Sequence, residues 1–332
     1  MAHKLTKIMQ TGGSLAALVI ILVLAGCGSQ NNHDHAAGKK GATGSKPNFQ
    51  YSGKGPIKAT CTIGMITDIV QNVGGEWVQT QGLMGPGIDP HLYKTTPGDI
   101  KKLNDADMVF YNGLHLEGKM GDVLEKVGER KLVVAVGAGI DEKLLHRPAA
   151  FQGHPDPHVW FDVSLWMKAV ETVRDALSKF DPPHSADYKK RADAYLVEMK
   201  ELHQYAKAQL ATIPKERRVL VTAHDAFGYF GRAYDVEVQG LQGISTATEY
   251  SVKDVQRLVA LIARQGVKAV FVESSVPRRS VEAVVQGCQA KGHRVEIGGT
   301  LFSDAMGAAG KPEGTYLGMV RYNVDTIVKA LK

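Results

Sequence analysis

From Ser185 to Ile213 the chain reads SADYKKRADAYLVEMKELHQYAKAQLATI, without a glycine or proline, between Pro182-Pro183 and Pro214. Strong helix formers fill the stretch, and Tyr188, Ala192, Tyr195, Leu196, Met199 and Leu202 recur at helical spacing. The pattern predicts one amphipathic helix over 185–213, started and stopped by the flanking prolines. At ~1.5 Å per residue such a rod is roughly 40 Å long, enough to cross a whole globular domain. Any fold available to this chain has to be built around it.

The flanking halves have a different grain. Short β-rich runs at Ile57–Ile63, Met108–Tyr111 and Leu132–Val136 precede the rod, and runs at Val219–Thr222, Val236–Leu241, Ala269–Glu273 and Arg294–Ile297 follow it. Helical patterns such as Thr67–Val73, Pro97–Leu103 and Val252–Gln265 separate most of them. This alternation predicts an α/β fold: two lobes with mainly parallel sheets flanked by helices, joined by one long rigid backbone helix. The lobes are expected at 56–184 and 214–332, with 185–213 as the linking helix. With 44% hydrophobic residues, each half has enough apolar material for its own core.

The N-terminus reads as an address. Lys4 and Lys7 precede an apolar run from Leu15 to Ala25, the length of a signal-peptide core and too short to span a ~30 Å hydrocarbon layer. It ends in Leu24-Ala25-Gly26-Cys27, which looks like a bacterial lipobox. The resemblance implies a lipoprotein signal peptide over 1–26, acylation of Cys27, and a membrane anchor in which each buried methylene contributes roughly 0.8 kcal/mol. Residues 27–55, rich in Gly, Ser, Asn, Lys and His, are expected to be a flexible tether. His33 and His35 within it are read as solvated linker residues. Loss of Lys4 and Lys7 with the leader takes the net charge from +6 to +4. The remaining charges are mixed in sign, so nothing points to nucleic acid. Cys61 and Cys288 fall in different lobes and are expected to be buried structural thiols rather than a disulfide.

One tripeptide occurs twice. Asp89-Pro90-His91 is followed by Leu92-Tyr93, and Asp156-Pro157-His158 by Val159-Trp160. Each proline fixes its own φ and biases the preceding aspartate away from helix, so each histidine is offered from a stiff, non-helical segment. The aspartate can accept from a nearby imidazole or from the backbone, as supporting groups around metal-binding histidines do. His91 sits just ahead of a helix start, with Thr96 as N-cap, Pro97 at the first helical position and Asp99 at the third. The buried run Val219–Thr222 leads into Ala223-His224-Asp225, which puts His224 at the carboxyl end of a strand, where open α/β sheets bind ligands; Asp225 is placed to cap the next helix. Asp304 follows Arg294–Ile297 through Gly298-Gly299-Thr300-Leu301-Phe302-Ser303, and suits a turn or helix cap as well as a ligand.

The segments GPGIDPHLY (85–93), DPHVWFD (156–162), AHDAFGYF (223–230) and TLFSDAMG (300–307), in this order, look like the metal-binding substrate-binding proteins of bacterial ABC transporters, the TroA-like zinc/manganese family. YNGLHLEGKM (111–120) and VESSVPRRSVEAV (272–284) extend the resemblance over 57–332. It implies one divalent transition-metal ion held as cargo by His91, His158, His224 and Asp304, and delivery to a permease and its ATPase from a monomer anchored outside the cytoplasm. An imidazole at the third position tilts the expected metal to zinc, with manganese close behind. The long His- and acid-rich loop of many zinc specialists is missing: 112–155 has only scattered His115, His146 and His154. His115 and Glu117 are read as structural or supporting. An exported zinc-dependent hydrolase is the rival reading; it would need an open metal position and a general base, and the chain has no HExxH. An adhesin role, sometimes attached to this family, has no readable surface here.

Overall fold

The computed structural model describes residues 49–332. The leader, Cys27, His33, His35 and most of the tether lie outside the described residues. The last residues read as tether are engaged. The Tyr51 N–H donates to the Phe180 carbonyl at 2.7 Å, and Phe49 and Tyr51 pack on the core.

The first lobe is a four-stranded parallel sheet in the order β2-β1-β3-β4. Its strands are β1 (Ile57–Cys61), β2 (Val78–Gly82), β3 (Met108–Tyr111) and β4 (Leu132–Ala135). Helices α1 (Gly64–Gly74), α2 (Pro97–Asp105) and α3 (Gly121–Gly128) connect them, and α4 (Val163–Phe180) closes the lobe. The rod is α5 (Ser185–Leu210), a turn shorter than the 185–213 expected. Its buried face is Tyr188, Ala192, Tyr195, Met199, Leu202, Ala206 and Leu210, at steps of three and four residues.

The second lobe holds two parallel pairs, β5 (Val219–His224) with β6 (Glu237–Gln242), and β7 (Ala269–Glu273) with β8 (Glu296–Leu301). Helices α6 (Gly228–Tyr234), α7 (Val252–Gln265), α8 (Arg279–Ala290) and α9 (Tyr316–Leu331) complete it. Among the described residues, no helix is long and apolar enough to cross a membrane. Cys61 and Cys288 are buried free thiols, and burial pushes Cys61 up to about 12.

Three local expectations are corrected. β2 was not anticipated, because VQTQG has a single buried side chain, Val78, on an edge strand. The strand expected at Arg294–Ile297 runs instead over Glu296–Leu301. Its glycines are packing devices rather than breakers: a Cβ on Gly298 would come within 2.7 Å of Ala330 on α9 and 3.0 Å of Ala269 on β7. Asp225 does not cap α6, which starts at Gly228 after Phe227 without a side-chain cap.

One large core runs from β1 and β3 through α4 and α5 to α9, so residues of both lobes share it; a smaller one lies between β5, β7, α7 and α8. Three buried hydrogen bonds cross between the lobes: Trp160 Nε1–H donates to the Ser303 carbonyl at 3.0 Å, the Tyr316 hydroxyl to the Trp160 carbonyl at 2.8 Å, and the Tyr229 hydroxyl to the Asp156 carbonyl at 2.9 Å. Next to Ser303, the strand end is clamped by Asn323 of α9. Its Oδ1 accepts the Phe302 N–H at 2.9 Å and its Nδ2 donates to the Phe302 carbonyl at 2.7 Å. Replacing Asn323 with Ala strands both backbone groups, at ~1–3 kcal/mol for each fully desolvated one. We expect urea unfolding of N323A to show a loss of about 2 kcal/mol with an unchanged slope.

Candidate metal centre

The four candidate side chains sit at strand carboxyl ends or on the segments that follow them: His91 after β2, His158 after β4, His224 at the end of β5 and Asp304 after β8. His91 lies between β2 and α2. Asp89 Oδ1 accepts the His91 N–H at 2.9 Å. The Thr96–Asp99 capping box fixes the start of α2, and the Tyr93 hydroxyl donates to the same Asp99 carboxylate at 2.7 Å. The aromatic two residues beyond this histidine thus ties its loop to a helix end.

His158 is held more tightly. Asp156 Oδ1 accepts both its backbone N–H, at 2.9 Å, and its ring Nδ1, at 2.7 Å. This leaves Nε2 facing the cleft. The Pro157 carbonyl accepts from Asn112 Nδ2 at 3.1 Å. Buried Glu117 organises that corner, accepting the Thr62 hydroxyl at 2.7 Å, the Asn112 N–H at 2.7 Å and the Gly113 N–H at 3.2 Å. Glu117 is therefore a scaffold for the His158 loop. His115 and His154 are exposed and pack on each other, and neither joins the central group. His146 lies 3.6 Å from Asp156 Oδ2, one residue removed from the site.

His224 ends β5. Glu273, the last residue of β7, grips it twice: Oε1 accepts the His224 N–H at 2.8 Å, and Oε2 lies 2.6 Å from Nδ1. Again Nε2 is left facing inward. Sequence reasoning missed Glu273. The available signal was a charged residue ending the buried run Ala-Val-Phe-Val, since a buried charge needs a partner.

Asp304 reaches all three rings. Its oxygens lie 3.4 Å from His158 Nε2, 3.3 Å from His224 Nε2 and 3.8 Å from His91 Nε2, and the His91 and His158 Nε2 atoms are 3.2 Å apart. All four side chains are buried, and one donor atom from each falls within 4.8 Å of the others. Both Asp304 oxygens and His224 Nε2 are buried with no hydrogen-bond partner. Orphaned polar atoms aimed at one point are what a bound cation would satisfy. A tetrahedral ion with donors at ~2.0–2.1 Å has donor–donor edges of roughly 3.3 Å, close to the spacings found.

The electrostatics are those of a charged, dry pocket. Burial pulls His91 down to about 3, against the pull of Asp304. Burial also opposes charge on His158, but the Asp156 and Asp304 carboxylates outweigh it and lift this ring to about 9. Glu273 and Asp304 likewise outweigh burial at His224 and hold it well above the usual imidazole range. Asp304 stays well below the ordinary carboxylate range because the His224 and His158 rings overcome its desolvation.

Two α/β lobes on a rod helix, closing on a buried three-histidine, one-aspartate cluster, define a class: the solute-binding component of a metal-ion ABC transporter, a transport protein rather than an enzyme. The chain belongs to the family described as ZnuA, zinc-uptake complex component A, periplasmic, whose model matches residues 60–330. It is 47% identical over 324 residues to the manganese-binding lipoprotein MntA of Bacillus subtilis (strain 168), covering 98% of this chain and 100% of that one. It is 51% identical over 299 residues to the zinc-binding protein TroA of Treponema pallidum (strain Nichols), covering 90% and 93% of the two chains. The solved structure of the periplasmic zinc-binding protein TroA from Treponema pallidum superposes with a TM-score of 0.82, over 83% of this chain and 99% of that one.

Glu273→Gln keeps a side chain of the same shape but removes the charge on His224. We expect zinc affinity, measured by competition with a chromophoric chelator, to fall about 10- to 100-fold with the circular dichroism spectrum unchanged.

Proposed function

We propose that His91, His158, His224 and Asp304 capture one divalent transition-metal ion, zinc or manganese, and that the loaded protein, tethered outside the cytoplasm by a lipid on Cys27, hands it to an ABC permease. The observation that carries this reading is the convergence of three imidazole Nε2 atoms on the two buried Asp304 oxygens, which no backbone or hydroxyl donor satisfies. Four protein donors around one point suit capture. A hydrolytic zinc keeps a position open for water, and the family is one of transport.

The donor set supports both metals. Three imidazoles and a carboxylate at near-tetrahedral spacing suit zinc. Asp304 has two free oxygens, so it can bind through both and raise the coordination number, which suits manganese. One of the two relatives described above is named for manganese and the other for zinc. Zinc should bind more tightly than manganese in vitro whichever metal the cell supplies.

Binding is an exchange of cations. In the metal-free pocket His158 and His224 hold protons at neutral pH and His91 does not. A divalent ion displacing two protons leaves the charge of the buried cluster unchanged, so the supporting carboxylates need not rearrange. His158 and His224 bind metal only when neutral, so the competition begins near pH 9 for His158 rather than near the ordinary imidazole value of about 6.5. Calorimetry in buffers of different ionisation enthalpy should show about two protons released per zinc at pH 7. Affinity should rise with pH through 7–8; a flat profile with no proton release would sink the assignment.

A further inference from the structure

Asp89 is not one of the four donors, yet it touches both walls of the cleft. Its Oδ1 accepts the His91 N–H at 2.9 Å, and its Oδ2 accepts the Thr246 hydroxyl at 2.6 Å. His91 belongs to the first lobe. Thr246 belongs to the second, in the segment 243–250 between β6 and α7.

That segment is thinly held by its own lobe. The Thr248 N–H reaches the Ser245 carbonyl at 3.3 Å, the Ala247 N–H reaches Ser245 Oγ at 3.3 Å, and the Asp225 N–H reaches the Gly243 carbonyl at 3.4 Å. Gln242 Nε2 donates to the Thr248 carbonyl at 3.3 Å. The bond that leaves the lobe is shorter than all of these, and its acceptor is a carboxylate, the stronger kind. Its position also sets it apart from Trp160–Ser303, Tyr316–Trp160 and Tyr229–Asp156, which are buried. Asp89 and Thr246 line an open cavity of about 470 Å³ with Leu92, Tyr250 and Pro277; Asp89 and Leu92 flank His91, the least buried of the four donors.

We propose that the Asp89–Thr246 hydrogen bond is a latch between the lobes at the mouth of the site, joining segment 243–250 to the His91 loop and setting how fast the captured ion escapes. Because the same carboxylate holds the His91 backbone, lifting the segment loosens a donor and uncovers the cavity in one movement. Thr246 is a positioning residue in this account, and the latch rests on the capture reading above.

The test is a chelator chase of the zinc-loaded full chain, followed by stopped flow, after the zinc stoichiometry has been measured. Thr246→Val and Thr246→Ala should each bind one zinc and release it about tenfold faster than the parent, a barrier lower by ~1.4 kcal/mol. Thr246→Ser, which keeps the hydroxyl, should release at the parental rate. Parental release rates in both hydroxyl-less variants would overturn the latch alone. So would Thr246→Ser releasing as fast as Thr246→Val, since packing rather than the hydrogen bond would then be at work. A parent chain that fails to bind zinc one-to-one would overturn the capture reading and the latch with it.

Discussion

The structure turns on the burial of one carboxylate among three imidazoles. Asp304 has no solvent and no hydrogen-bond donor from the backbone to stabilise its charge. An isolated carboxylate in such a place would take up a proton. It remains ionised because His158 and His224 carry compensating charge, and those rings are in turn held charged and oriented by Asp156 and Glu273. The result is a chain of alternating charge, carboxylate–imidazole–carboxylate–imidazole–carboxylate, that crosses from one lobe to the other. Anything that replaces the two protons has to be doubly positive, small and comfortable with nitrogen and oxygen donors.

This requirement explains the rigidity around the site. A cluster of like and unlike charges within a few ångströms is favourable only if each group stays where it is. The DPH segments, the capping box at Thr96 and Asp99, the Glu117 knot and the Asn323 clamp each fix one ligand-bearing loop to a helix or strand end. The shared core through α4, α5 and α9 limits how far the lobes can part. The thinnest hydrogen bonding around the site is in segment 243–250, which meets the His91 loop through Asp89. Release is therefore expected to be a local event at the mouth rather than a wide domain opening.

Much of this is legible in the sequence, for reasons that differ by element. The rod helix declares itself because a long run without Gly or Pro has no other compact use. Its last turn is absent because Ala211–Ile213 bend into the turn before Pro214. The two DPH segments are readable because proline stiffness is a local property, and the structure bears out Asp156 as the ring partner of His158. Asp89 holds the backbone of its histidine as Asp156 does, but its other oxygen takes a threonine in the opposite lobe instead of the ring. That contact spans 157 positions, and no local pattern encodes it. Glu273 escaped for a related reason: it reads as the end of a strand, and only strand adjacency in the second lobe puts it against His224. β2 and the true span of β8 were obscured by polarity and glycine, whose meaning depends on what packs against them.

X-ray absorption at the zinc edge of the loaded protein reads the donor set itself. Three imidazole nitrogens and carboxylate oxygen are expected around the ion at ~2.0–2.2 Å, lost in part when His158 is replaced. A shell with one imidazole or none, or one dominated by water oxygens, would contradict that donor set.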